Sequence, residues 1–449
     1  MAIDLVTRIL EHDTTIWGPK SVAPNRIGWI DLVNRTSEYV TDLSRWAESI
    51  DQSQIVVLGM GGSSLGPRLF SDLTKNQNIA KRKLTVVDST DPRSLEEISI
   101  TDTAFIVSSK SGTTVESDSY FKFFFSRVKD PKRFIVITDP GTVLDQEARE
   151  LGVARVFNTP ENVGGRFSVF TEFGLVPAVL AGVDIEKLLT YAKAANLDHY
   201  VNFGLTLGEA ANDKNRFAQF PYGDRSRRSI SMWTEQILAE STGKEKKGVI
   251  PITPTVEDKG YRSNVTNIDF SDLESVAKHL YGMQFATAAA GYALGIDPFN
   301  EPDVGVSKEI TRRVLAGEKF DPTLNRIELD ELEGYIADKK DEGKYFSISA
   351  YQPLAFEDEL YLLRDRLAEV SGPSPVAAGL APRHLHSTGQ LHKGGPANLE
   401  LIQIVSSNYG PKVEIPGRDT DFGSLIKAQA DGDAIACQDR GQKVSRIYV

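Results

Sequence analysis

The chain has 449 residues, with 51 Lys and Arg against 62 Asp and Glu for a net charge of −11, and that acidic balance argues against a nucleic-acid binder. A single cysteine, Cys437, excludes disulfides and a cysteine zinc cluster. Forty per cent apolar residues with 36 Gly and 21 Pro is ordinary globular composition, no run approaches the ~18 apolar residues of a membrane span, and the start lacks a basic and an apolar leader region, so the expectation is a soluble, cytoplasmic protein of two or three domains.

Residues 1–50 read as a partly amphipathic helical arm whose Trp17, Trp29 and Trp46 pack against the first domain. From residue 54 the pattern changes to short apolar runs: Ile55–Leu58, Leu84–Val87, Phe105–Val107, Phe134–Ile137 and Arg155–Phe157. Each is too short and too uniformly apolar for a surface helix and reads as a buried strand. The segments between them fit crossover helices, which predicts a parallel, doubly wound sheet with helices on both faces. Leu175–Ala194 is mostly helical and closes this unit. A second, less regular α/β pattern follows, with candidate strands at Arg216–Phe220, Val249–Ile252, Tyr345–Ala350 and Leu399–Val405 and helices at Ser231–Ser241 and Asp272–Leu294. The Pro- and Gly-rich stretch from Ser371 to Pro382 reads as linker-like. The two halves look like copies of one architecture: a helical arm over 1–50, a first domain over 51–195, and a second over 196–449 with a C-terminal segment.

The polar clusters sit where such sheets bind ligands, beyond the carboxyl ends of strands. The first strand ends in Gly59-Met-Gly-Gly-Ser-Ser-Leu-Gly66 and runs into a helix, whose free N–H groups suit an anion. The Rossmann dinucleotide spacing fails, because Ser64 stands where its third glycine is required. The third strand ends in Ser108-Ser-Lys-Ser-Gly-Thr-Thr114, whose hydroxyls, Lys110 ammonium and helix start together suit a phosphate monoester. An ordinary N-cap explains one hydroxyl there, not a run of them. Asn162-Val-Gly-Gly-Arg-Phe-Ser168 follows the fifth strand, and Arg166, which cannot deprotonate, suits a developing oxyanion; a surface salt bridge is the plainer alternative. Gln236 and Glu240 lie four apart on one helix face, with Glu240 near the negative helix end, which suits a base. Asp297–Lys308 runs from a turn into a helix carrying Lys308. Arg383-His-Leu-His-Ser-Thr-Gly-Gln-Leu-His-Lys393 contains three of the six histidines, but no acidic ligand accompanies them, so metal is not expected.

Taken together, Gly-Gly-Ser at 61–63, Ser-Lys-Ser-Gly-Thr-Thr at 109–114, Val-Gly-Gly-Arg at 163–166, Glu-Ser-Thr-Gly-Lys at 240–244 and His-Ser-Thr-Gly-Gln at 386–390 resemble the glucose-6-phosphate isomerase family. Pro-Phe-Asn-Glu-Pro-Asp-Val at 298–304 is similar to the branch found fused behind a transaldolase, although residues 1–50 leave no room for that barrel. The resemblance implies two sugar-isomerase (SIS) domains, each a three-layer αβα parallel sheet, with the active site between them. It implies reversible isomerisation of glucose 6-phosphate and fructose 6-phosphate through a cis-enediolate, in glycolysis and gluconeogenesis. Residue by residue, it implies that Ser63, Ser109, Lys110, Ser111 and Thr114 grip the phosphate and that Gly62 lines the sugar. Gln236 would position the substrate, Arg166 would hold the enediolate, Glu240 would be the base, and His386 and Lys308 would assist ring opening. The implied partner is a phosphorylated hexose, with no nucleic acid and no membrane; no metal or organic cofactor is implied, and the family analogy is a homodimer.

Two departures stand out. His386 follows Lys308, the reverse of the commoner order, in which the histidine comes from the partner subunit. Glu301 stands where the signature would have Gln. A non-catalytic double-SIS regulator would need the hydroxyl loop but not Glu240, Arg166 and His386 together, and an isomerase of an amino-sugar phosphate would lack the paired Glu-Ser-Thr-Gly-Lys and His-Ser-Thr-Gly-Gln motifs.

Overall fold

A computed structural model describes residues 2–266, 272–318 and 324–449. The five strands expected in the first half are all present: β1 (Gln54–Gly59), β2 (Lys83–Val87), β3 (Thr103–Ser108), β4 (Phe134–Thr138) and β5 (Arg155–Asn158). They form one wholly parallel sheet in the order β2-β1-β3-β4-β5. Alternate residues of β1 face opposite cores, Ile55 and Val57 one way and Val56 and Leu58 the other, so helices cover both faces and the strand is apolar throughout. The chain leaves β1 for β2 on one side and returns for β3 on the other. A crevice therefore opens between the carboxyl ends of β1 and β3.

Among the described residues, the second half holds two sheets rather than the single one its candidate strands suggested. The Arg216–Phe220 and Val249–Ile252 candidates become β6 (Phe217–Gln219) and β7 (Ile250–Ile252), which with β8 (Asn264–Val265) make a small parallel sheet in the order β7-β6-β8. The main sheet contains β9 (Asn325–Arg326), β10 (Tyr345–Tyr351), β11 (Val376–Leu380), β12 (Leu399–Val405) and β13 (Lys443–Tyr448), in the order β11-β10-β12-β13-β9. The linker expected over Ser371–Pro382 is thus overturned. Its prolines at 373 and 375 precede β11, which pairs with β10 from Phe346↔Val376 to Ala350↔Leu380 and is fully buried. Small residues were required there: a Cβ on Gly379 would lie 2.8 Å from the His384 ring.

The order β11-β10-β12-β13 repeats β2-β1-β3-β4, so the second sheet has its own crevice, between β10 and β12. That crevice is filled from the first half. Arg93, paired with Asp91, donates to Ser406 Oγ at 2.8 Å and to Gln352 Oε1 at 3.3 Å. The crevice of the first sheet remains open.

The N-terminal arm is helical only over Ala2–Leu10 and Ser37–Glu48, with 3-10 turns between them. It grips more than the first half. Trp46 meets Phe157 edge-on at 4.7 Å, but Trp29 lies between Phe167 at 5.2 Å and Phe285 at 5.0 Å, and Trp17 meets Phe299 at 4.8 Å and donates to the Ala288 carbonyl at 3.0 Å. Phe285 and Ala288 belong to the long helix Leu273–Leu294. The expected packing on the first domain is present, through Phe157 and Phe167, and the arm reaches the second half as well, through Phe285, Ala288 and Phe299. Trp29→Ala is expected to cost about 3–5 kcal/mol, read as a lowered urea midpoint.

Candidate active site

The loop after β1 leads into helix Gly62–Asn76. A Cβ on Gly62 would sit 2.0 Å from the Gly165 carbonyl oxygen, so only glycine lets this turn touch the Val163–Arg166 loop. After β3, Gly112 at φ +65° turns the hydroxyl loop towards helix Val115–Val128. Thr114 is the N-cap of that helix, yet its hydroxyl accepts from Ser109 Oγ at 3.1 Å and makes no cap to the helix N–H groups. The helix end is therefore left to a ligand in the crevice. Thr113 Oγ1 donates to Ser111 Oγ at 3.1 Å, and Lys110 is ion-paired with Asp139, which also accepts from the Thr159 hydroxyl.

Facing this loop is the carboxyl end of helix Arg228–Thr242. Glu240 accepts from Arg166 Nη1 at 3.1 Å through one oxygen and from Gln236 Nε2 at 3.1 Å through the other. Burial raises the Glu240 carboxyl above its ordinary 4.5; Arg166 opposes this and the Glu301 charge adds to it. Gln236 also donates to the His386 carbonyl at 3.0 Å, and its own carbonyl oxygen is buried without a partner. Arg166 is no surface salt-bridge residue: it is 2 % exposed. Besides Glu240 it donates to Glu301 at 3.1 Å, Ser241 Oγ at 2.7 Å and the carbonyls of Pro298 at 2.7 Å and Asn300 at 3.1 Å. The same turn is held from behind by buried Lys244, which donates to the Asp297 and Asn300 carbonyls at 2.8 and 2.5 Å and is lowered by burial to about 7.

His386 reaches the crevice from its own chain. Its Nε2 lies 3.0 Å from Glu116, a buried carboxylate that also accepts from Gln429 at 2.7 Å. Burial would raise Glu116, but the His386 ring, through charge and hydrogen bond, brings it below 4.5. Lys308, on helix Val304–Leu315, is exposed at the rim. Fully buried Gln390 binds three motifs together: it donates to the Gly243 carbonyl at 2.8 Å and to Asp303 at 2.9 Å, and accepts from the Asp303 N–H at 3.0 Å. The other two histidines of that stretch, His384 and His392, are buried ring against ring at 5.3 Å, and among the described residues no group of three acidic, His or Cys side chains is arranged to hold a metal.

One cleft of about 470 Å³ is lined by all eleven residues singled out in the sequence: Gly62, Ser63, Ser109, Lys110, Ser111, Thr114, Arg166, Gln236, Glu240, Lys308 and His386. Sequence reasoning missed Glu116 as the partner of His386, although an acid two residues beyond Thr114, in the first turn of a helix, was a signal available to it. It also gave no role to Lys244, which ends the Glu-Ser-Thr-Gly-Lys motif, and none to Glu301.

The fold is α/β, with parallel sheets that meet at a hydroxyl-rich crevice. A family model described as phosphoglucose isomerase matches residues 34–206. Glucose-6-phosphate isomerase of Campylobacter jejuni is 31% identical over 236 residues, covering 49% of this chain and 58% of the relative. The probable glucose-6-phosphate isomerase of Methanococcus maripaludis is 26% identical over 66% of this chain and 85% of its own length. A crystal structure of glucose-6-phosphate isomerase from Chlamydia trachomatis superposes with a TM-score of 0.52 at 18% identity, over 74% of this chain and 80% of that one, and agrees in fold. Over residues 34–206 the chain is thus similar to the phosphoglucose isomerases. It spans under three fifths of the length of the first curated relatives it matches, at 58%, 59% and 57%.

Gly62→Ala is expected to push the two loops apart, costing about 1–3 kcal/mol and weakening inorganic phosphate binding in calorimetric titration.

Proposed function

We propose that the chain interconverts glucose 6-phosphate and fructose 6-phosphate by proton transfer through a cis-enediolate. The observation that carries this reading is the pair of Glu240 with the buried Arg166 guanidinium at 3.1 Å, facing the Ser109–Thr114 loop across a single cleft. A phosphosugar-binding regulator would need the loop alone. Burying a carboxylate in the same cleft costs stability and favours a catalytic purpose.

In this reading Ser63, Ser109, Lys110, Ser111 and Thr114 hold the phosphate, with the uncapped end of helix Val115–Val128 behind them, and the remote phosphate fixes the sugar against the base. Gly62 lets the backbone approach the sugar. Ring opening needs a donor to the ring oxygen and an acceptor at the anomeric hydroxyl, roles that suit His386, oriented by Glu116, and Lys308. Glu240 takes the proton from C2 of the aldose and returns it to C1, since one carboxylate reaches both carbons; its raised affinity for protons improves it as a base. Arg166 stays charged in a dry site and stabilises the enediolate oxygen, and Gln236 offers its unpartnered carbonyl oxygen to a substrate hydroxyl. We assign residues 51–195 and 196–449 to two SIS domains joined by the arm 1–50, and place the protein as a cytoplasmic homodimer of sugar-phosphate metabolism.

A coupled assay on fructose 6-phosphate tests the reading. Turnover should persist in a chelator, and dependence on a divalent ion would overturn the route. Glu240→Gln should lower kcat by at least about 10³-fold, within the range for loss of a general base, while leaving phosphate-ester binding; near-normal turnover refutes the role. Because burial raises Glu240 above 4.5, kcat/KM should fall as pH drops through that raised value, so the acid limb of the profile should lie above the ordinary carboxylate range.

A further inference from the structure

A guanidinium has five N–H donors in a fixed fork. In Arg166 all five are already used within the chain: one on Ser241 Oγ, two on the carbonyls of Pro298 and Asn300, one on Glu240 and one on Glu301. If Arg166 is to receive an oxyanion, as the proposed function requires, one of these bonds must open. Four of them cannot open cheaply. Ser241 is fully buried, the two carbonyls belong to a turn clamped again by Lys244, and Glu240 is the base itself. The fifth partner differs: Glu301 has a side chain 44% exposed, lines the cleft, and shares Nη1 with Glu240, each at 3.1 Å.

We propose that Glu301 is a displaceable counter-anion: in the free protein it occupies the Arg166 donor that the substrate's oxyanion takes, and its side chain turns out of the cleft as that anion arrives. The clamp on the turn makes this economical. Arg166 Nη2 and Lys244 fix the backbone from Asp297 to Asn300, so only the Glu301 side chain needs to move. A half-exposed ion pair is weak because water competes for both charges, whereas an oxyanion in the closed site meets less competition. Glu301 keeps the buried guanidinium satisfied when the cleft is empty and gives way to a stronger partner. It is a positioning residue and takes no proton in the reaction.

This inference rests on the isomerase reading and is tested by Glu301→Gln, which keeps the shape and removes the charge. The probes are inorganic phosphate, which needs only the hydroxyl loop, and arabinonate 5-phosphate, a sugar acid whose carboxylate stands for the enediolate at Arg166. The variant should bind the sugar acid about tenfold more tightly and phosphate as the wild type does, and Glu301→Ala should shift in the same direction. KM for fructose 6-phosphate should fall more than kcat changes. Sugar-acid binding that is unchanged or weaker, or that changes in step with phosphate, overturns the counter-anion role. A wild type that binds both probes but does not isomerise overturns the isomerase reading, and the binding comparison then still decides the role of Glu301.

Discussion

A buried guanidinium with no free N–H imposes a strict condition on everything around it. Arg166 is reached by the helix that carries Glu240 and Ser241, by the turn from Pro298 to Glu301, and by its own loop after β5, and each must arrive at the right distance for five bonds to close at once. An unpaired charge at this depth would be prohibitive, so the site cannot assemble in part. Gln390 strengthens the same junction by joining the turns at Gly243 and Asp303. The arm contributes from outside, since Trp17 packs on Phe299, between two of the Arg166 partners, and Trp29 packs on Phe167, next to Arg166 itself.

The repeated sheet order explains why one crevice is open and the other is not. Both main sheets have a switch point that would suit a ligand. At the second, Arg93 and Asp91 bind Ser406 and Gln352 and fill the space with protein. At the first, the second half sends in His386, Gln236 and Glu240, which line the space without closing it. The halves are thus reciprocal in contact but unlike in consequence, and the charged groups of the cleft come from both.

Much of the fold was legible because buried parallel strands are short apolar runs, and β1, β3 and β4 are of that kind, while the edge strands β2 and β5 are partly exposed. Where other forces shaped the chain the reading failed. β11 hides in a stretch of Pro, Gly and Ala because close approach of the His384 ring demanded small residues, and its prolines lie just outside the ladder. The division of the second half into two sheets depends on pairings between distant segments, such as Phe217 with Ile250 and Ser445 with Asn325, which periodicity does not encode.

The site divides along the same line. Local sequence alone determined that a hydroxyl-rich loop precedes one helix, that a carboxylate and an amide share a face of another, and that an arginine follows two glycines, because turn chemistry and helix spacing act over a few residues. Only the tertiary structure decided that Glu116 orients His386, that His386 arrives from the same chain, and that Glu301 shares Arg166 with Glu240. Those are pairings of charge across 270, 135 and 74 residues of separation, and they follow from packing, which no local pattern records.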